Sequence, residues 1–243
     1  MVERVSSGIK EIDELVGGGF PKGSTIMVSG GTGTGKSIFV MQILYENALA
    51  GKKSLFITFE QSEKEVLTQM EQFGWTPQKT KGRFKVFSRS LKDEKLKKDI
   101  LALVESTDLD MIGLDSVASI YIEPSAPVEI QNMMEIQDKV IPAQISETLI
   151  KRDQIEKIIR PIKESPATAL IISEVVDDLP GYSRDSYSEF LCDGIIVMKA
   201  NRLGQTYGRT LHVHKMRYTK INPKIVNFDF GKNGVEIIKP KTE

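Results

Sequence analysis

Short runs of β-branched and aromatic residues alternate along most of the chain with longer stretches whose apolar positions recur at three- and four-residue spacing. Thr25 to Ser29, Ser54 to Phe59, Phe84 to Ser88, Met111 to Leu114 and Ala169 to Ser173 have the near-continuous apolar character of strands covered on both faces. Between the first two, Ser37 to Ala50 carries Phe39, Val40, Ile43, Leu44 and Leu49 at helical spacing and stops at Gly51, a residue suited to a helix C-terminus. Ser62 and Glu65 have capping-box spacing ahead of Val66, Leu67, Met70 and Phe73, so a second helix is expected to start at Ser62. Strand and helix in alternation predict βαβ units and a parallel sheet. From Gly194 onward the pattern changes to β-rich runs punctuated by Gly and Asn: Gly194 to Met198, Thr210 to Met216, Ile225 to Phe230 and Val235 to Ile238. Asn233-Gly234 is a hairpin signal, and an antiparallel extension of the sheet is expected there.

Two stretches break the regularity. Glu123 to Ser165 is long for one crossover and contains Pro124, Pro127, Pro142 and Pro161, which predicts two helices interrupted near Pro142. Glu174 to Ser188, with Asp177, Asp178, Pro180, Gly181 and Asp185, reads as a loop. Residues 1–243 are therefore expected to form one α/β domain, with a helical insertion over about 124–155.

Charge and cysteine content narrow the setting. The 33 Lys plus Arg balance 33 Asp plus Glu, so no whole-protein field draws the chain to nucleic acid or to an acidic membrane. Cys192 has no cysteine partner, which fits a reducing compartment. Met1-Val2-Glu3-Arg4 lacks the layout of a secretion signal, and no apolar run approaches the roughly 20 residues of a membrane span. A cytoplasmic location is expected.

The first strand and first helix flank Gly30-Gly31-Thr32-Gly33-Thr34-Gly35-Lys36-Ser37, which matches G-x-x-x-x-G-K-[ST] in the context that gives this motif its meaning. A polyphosphate ringed at close range by backbone N–H groups needs a loop with few side chains, and the helix behind it adds the positive end of its dipole. Gly31, Thr32, Gly33, Thr34, Gly35, Lys36, Ser37 and Ile38 are thus expected to line the phosphates of ATP or ADP. Lys36 would reach the β and γ phosphates and the Ser37 hydroxyl would ligate Mg²⁺.

Met111-Ile112-Gly113-Leu114-Asp115 is an apolar strand ending in an acid, as a Walker B segment requires, so Asp115 is the expected second Mg²⁺ partner. Glu60 follows the strand Ser54 to Phe59, which is expected to neighbour the phosphate-loop strand. Its carboxylate is the candidate to activate the attacking water.

Arg4-Val5-Ser6-Ser7-Gly8-Ile9, Asp13-Glu14-Leu15-Val16-Gly17-Gly18-Gly19-Phe20-Pro21-Lys22-Gly23 and the phosphate loop together resemble the amino-terminal signature of the KaiC-like branch of RecA-type ATPases. The resemblance continues in Thr58-Phe59-Glu60, Leu114-Asp115-Ser116, Glu189-Phe190-Leu191-Cys192-Asp193-Gly194 and Lys215-Met216-Arg217. It implies a RecA-like core, a hexameric homo-oligomeric ring with ATP between subunits, and Lys215 and Arg217 reaching the neighbouring subunit's γ phosphate. Read from the residues alone, that pair is more simply a basic strand end facing solvent. Three departures from the family pattern stand out. Gln61 follows Glu60 where a second glutamate is common. Tyr218 and Lys220-Ile221-Asn222 replace a glycine and a nearby histidine. Glu189 and Phe190 stand where the self-phosphorylating half of the clock protein has Ser and Thr, so autokinase activity is not expected.

His212 and His214 share a strand face but lack further ligands for zinc, and Met133, Met134 and Ile136 read as the packed face of a helix. Tyr182, Arg184 and Tyr187 lie where RecA-type recombinases contact DNA, yet Asp177, Asp178 and Asp185 would repel phosphates there. Three readings stay open: a slow ring ATPase acting on a protein partner, an ATP-sensing scaffold with negligible turnover, and a DNA-acting recombinase relative.

Overall fold

A computed structural model describes residues 2–93, 95–106, 108–122, 143–175, 181–203 and 206–239. The chain opens with β1 (Arg4–Val5), α1 (Lys10–Leu15) and β2 (Phe20–Pro21), where β1 and β2 pair antiparallel. The βαβ region follows: β3 (Thr25–Gly30), α2 (Lys36–Leu49), β4 (Ser54–Thr58), α3 (Glu63–Glu71), a 3₁₀ turn at Pro77–Thr80, β5 (Phe84–Ser88), α4 (Leu96–Ser106), β6 (Met111–Asp115), α5 (Val117–Ile122), α6 (Ala143–Glu164) and β7 (Thr168–Glu174). It closes with α7 (Ser188–Leu191), β8 (Gly194–Leu203), β9 (Thr206–Met216), β10 (Val226–Gly231) and β11 (Gly234–Ile238). Among the described residues the main sheet has nine strands in the order β11-β10-β9-β8-β3-β7-β6-β4-β5. β8, β3, β7, β6, β4 and β5 run parallel, and β9, β10 and β11 add antiparallel to one edge. This is the mostly parallel, RecA-like architecture with an antiparallel tail.

Two expectations about the sheet are corrected. β4 does not neighbour the phosphate-loop strand, because β7 and β6 are inserted between β3 and β4. Strand order is set by how the crossover helices pack, and chain adjacency does not encode it. The run beginning at Gly194 belongs to the parallel core on one side and starts the antiparallel tail on the other: β8 pairs parallel with β3 and antiparallel with β9.

The alternation of side chains along each strand divides the interior. Ile26, Val28, Phe56, Leu170 and Ile172 face α2, while Leu55, Ile57, Ile112, Leu114 and Ile171 face the side covered by α4, α5 and α6. Gly113 marks the tightest approach of helix to sheet, since an added Cβ would lie 2.7 Å from Leu44 Cδ1 and 2.8 Å from Val40 Cγ1. Gly113→Val is therefore expected to lower the unfolding free energy by about 1–3 kcal/mol through overpacking, read as a falling denaturant midpoint. No loss would mean that α2 can shift away at no cost.

The capping box forms as its spacing implies: Ser62 N–H donates to Glu65 Oε2 at 2.8 Å and Glu65 N–H to Ser62 Oγ at 3.3 Å. The outer face of α2 is covered by β11, and the Gln42 amide reads the backbone of Val235 from both sides, at 2.7 and 3.3 Å. The β10–β11 hairpin forms, but with Gly231 paired to Gly234, so Lys232 and Asn233 are its central residues, one position earlier than the Asn-Gly pair suggested. Pro161 sits in the last turn of α6. The helix expected before Pro142, with Met133, Met134 and Ile136, and the aspartates Asp177 and Asp178 lie outside the described residues. Among those described, no helix is long and apolar enough to cross a membrane.

Candidate functional site

The carboxyl ends of β3, β7, β6 and β4 converge on one edge of the sheet, where an open α/β fold leaves its ligand crevice. β3 runs into the glycine loop and then into α2, so the loop N–H groups and the start of the helix face the same space. Gly35 closes the loop at φ +96°, and a Cβ there would lie 2.1 Å from Phe230 Cζ. Both the dihedral and the ring exclude a side chain at that point. Thr34 Oγ1 donates to Gly31 O at 2.9 Å, and the nearly buried Lys36 ammonium donates to the same carbonyl at 2.8 Å. Lys36 also lies 3.9 Å from Glu174 Oε1.

Asp115 ends β6 almost fully buried. Burial pushes its carboxyl up to about 6; the Ser37 hydroxyl hydrogen-bonded to it and the Lys36 ammonium oppose the rise, while Glu60 and Glu174 add to it. Glu60 stands just past β4, exposed, with Oε1 accepting from Ser116 Oγ at 2.7 Å and from Ser119 Oγ. Those two hydroxyls are themselves 3.0 Å apart, so the start of α5 holds the Glu60 carboxylate toward Asp115. Glu60 thus reaches the site across β6, although β4 is not next to β3.

Three carboxylates therefore surround one ammonium and one hydroxyl. The acidic and hydroxyl groups offer oxygen donors only, the chemistry a hard divalent cation such as Mg²⁺ would take. Among the described residues no three His, Cys, Asp or Glu side chains could hold a metal by themselves. Ser37 and Asp115 are the residues that would hold it.

The buried Asp115 carboxyl carries a stability cost with a definite sign. Asp115 binds a proton more tightly folded than unfolded, so its ionisation opposes folding above about pH 6, and the cost fades as pH falls toward its ordinary value of 3.8. Asp115→Asn is expected to raise the melting temperature of the nucleotide-free protein at pH 7.5 by a few degrees and by about half as much at pH 5. An equal shift at both pH values would reject the burial of charge as the cause.

Glu174 was not singled out from sequence, being assigned to a loop; it is the last residue of β7 and pairs directly with Gly30. The signal was available, because the apolar run Ala169 to Ser173 ends in an acid just as Met111 to Leu114 does. Phe230 and Arg209 were also missed. The Arg209 guanidinium lies 4.6 Å from the Phe230 ring centroid and pairs with Asp229 at 2.8 Å, which walls the phosphate loop on the tail side. No local pattern links β9 and β10 to a loop so far away in sequence.

Lys215 and Arg217 are not brought to this site. Met216 between them pairs with Gly194, which pairs with Ile26, four residues before Gly30 and so roughly 13 Å back along the strand direction. Lys215 Nζ donates to Cys192 O at 2.8 Å, and Arg217 Nη1 donates to Asp193 Oδ1 at 2.9 Å. The same Asp193 accepts from Thr25 N–H at 3.1 Å, anchoring the start of β3. In the loop before α7, the Tyr182 ring stacks on His214 with centroids 4.1 Å apart, and Arg152 covers Tyr187, whose hydroxyl donates to Glu156. These rings are engaged within the chain.

The family model for the KaiC ATPase matches residues 5–242. The circadian clock oscillator protein KaiC of Acaryochloris marina is 26% identical over 97% of this chain, which spans 44% of that protein's length. A UPF0273 protein of Pyrococcus horikoshii is 28% identical, covering 99% of this chain and 96% of its own length. The crystal structure of a KaiC-like protein from Pyrococcus horikoshii superposes with a TM-score of 0.82 at 27% identity, covering 98% of this chain and 100% of that one. With the glycine loop, the strand-terminal acids and the sheet order in place, this agreement along nearly the whole chain means that the protein belongs to the KaiC family of ATPases.

Proposed function

We propose that this chain binds Mg·ATP at the glycine loop and hydrolyses it slowly, as one ATPase domain over residues 1–243 working in a homo-oligomeric ring. The observation that carries the reading is the meeting of Lys36, Ser37, Asp115, Glu60 and Glu174 at the carboxyl ends of the strands beside the glycine loop. Gly31 to Ile38 cradle the phosphates, and Lys36 leaves the Gly31 carbonyl for a phosphate oxygen. Ser37 and Asp115 would hold the metal, which would supply charge neutralisation for the phosphates. Glu60, oriented by Ser116 and Ser119, takes a proton from the attacking water. Lys215 and Arg217, far from the phosphate loop of their own subunit, serve the site of the next one. The nucleotide state then changes how the ring engages a protein partner. A nucleic-acid role is less well supported, because the Tyr182 and Tyr187 rings are already occupied.

The test pairs titration calorimetry of Mg·ATP with light scattering and a phosphate-release assay on the same protein. Binding heat, growth to a ring and slow phosphate release are expected together. Binding and assembly with negligible release would turn the reading into that of an ATP-sensing scaffold. An absence of heat with Mg·ATP would remove it altogether.

A further inference from the structure

The loop from Arg217 to Ile225 joins β9 to β10 without regular secondary structure, yet it immediately follows the two cations assigned above to the neighbouring site. Tyr218 in it is 77% exposed and adopts φ +58°, a left-handed conformation unfavourable for a tyrosine. Contacts from elsewhere must hold it there. One is the backbone pair from Arg217 N–H to Asp193 O at 2.9 Å, and another is Asn222 N–H to Leu15 O at 2.9 Å. The third is the Arg4 side chain on β1. Its Nη2 donates to Tyr218 O at 3.3 Å and its Nη1 to Thr219 Oγ1 at 3.1 Å, while Nη1 also grips Val16 O at 2.9 Å and Gly19 O at 2.8 Å.

We infer that Arg4 is a positioning residue for the basic pair Lys215 and Arg217: it clamps the Tyr218–Thr219 turn to the rigid glycine segment after α1, so that Arg217 is presented to the adjoining subunit in one conformation. A planar guanidinium can bind two segments at once through separate nitrogens, which a lysine ammonium cannot. Without the clamp Tyr218 relaxes toward ordinary backbone angles, and the shift passes straight to Arg217. Arg4 touches no part of the phosphate loop, so nucleotide binding by its own subunit is untouched. The inference rests on the reading that Lys215 and Arg217 act in trans.

Arg4→Gln is expected to lower kcat about 10- to 100-fold, the range that small misplacements of a catalytic group produce, with KM for ATP nearly unchanged. Arg4→Lys should recover only part of the loss, and Thr219→Val should show a smaller loss of the same kind. Subunit mixing separates this role from a merely structural one. When Arg4→Gln subunits are mixed with Glu60→Gln subunits, some interfaces join an intact Glu60 to an intact arm, and phosphate release should rise to about a quarter of the wild-type rate in a random one-to-one mixture. Arg217→Ala mixed with Glu60→Gln is the control. If the control gains activity and the Arg4→Gln mixture does not, Arg4 acts on its own site and the inference is overturned while the ring reading stands. If neither mixture gains, the trans reading fails and carries the inference with it. Should Arg4→Gln not fold, as judged by its melting curve, Thr219→Val takes its place in the same mixtures with the same two outcomes.

Discussion

Arg217→Ala is expected to reduce ATP turnover by about 10³ to 10⁵, the range measured where an arginine finger is removed, while leaving the heat of Mg·ATP binding to the dissociated protomer unchanged. The separation of the two effects follows from the sheet. Arg217 lies beyond the amino-terminal end of β8, held by Asp193, at the opposite end of the strands from the glycine loop of its own chain. A residue so placed can stabilise charge on a transferring phosphoryl group only across an interface. The expectation applies to steady-state phosphate release at saturating ATP, with assembly checked by light scattering. Turnover within a few-fold of wild type in a fully assembled variant would show that the arginine is a strand-end cation with no part in the chemistry.

The second large effect is expected at Glu60. Glu60→Gln keeps an amide oxygen able to accept from Ser116 and Ser119 but loses the basic carboxylate, so the geometry survives while proton acceptance does not. Phosphate release should fall by about 10² to 10⁴, the usual contribution of a general base, with ATP binding intact. Ser116→Ala should act in the same direction but less, because it loosens the orientation of Glu60 without removing it. If Glu60→Gln turns over normally, the water is activated elsewhere, and Glu174, paired to Gly30 and close to Lys36, is the next group to remove.

The site's electrostatics explain why these two groups divide the labour. Asp115 is buried and its own charge is opposed by Glu60 and Glu174, so on the proposed reading it would serve as an acceptor for a cation rather than as the base. Glu60 is exposed. The single ammonium of Lys36 cannot balance three carboxylates. On the proposed reading a divalent cation would supply the missing positive charge.

Much of this was readable along the chain, and the reason is local. The apolar runs that become β3, β4, β6 and β7 match their strands within a residue or two, because a strand covered on both faces must be apolar at consecutive positions whatever its neighbours are, whereas β5, expected to be equally buried, is the edge strand with Lys85 exposed. The glycine loop, Lys36 and Ser37 were legible because a backbone cradle for phosphate needs those residue types at consecutive positions. The capping box at Ser62 and Glu65 is a contact between residues three apart, so its spacing is its geometry. The hairpin was legible as an event and off by one in register, because strand pairing on α2, through Gln42 and Val235, decides which residues face each other.

What the linear pattern determined by itself is an alternating α/β chain with a phosphate-gripping loop and two strand-terminal acids, since each of these is written in contiguous residues under short-range steric and hydrogen-bonding rules. The tertiary structure alone decided that β7 and β6 lie between the strands bearing the loop and Glu60, that Glu174 joins the site, that Phe230 closes on Gly35, and that Arg4 reaches across more than two hundred residues to the Tyr218 turn. Those arrangements arise from which crossover helix packs on which face and from side chains meeting far from their own segment. Local preference carries no information about either.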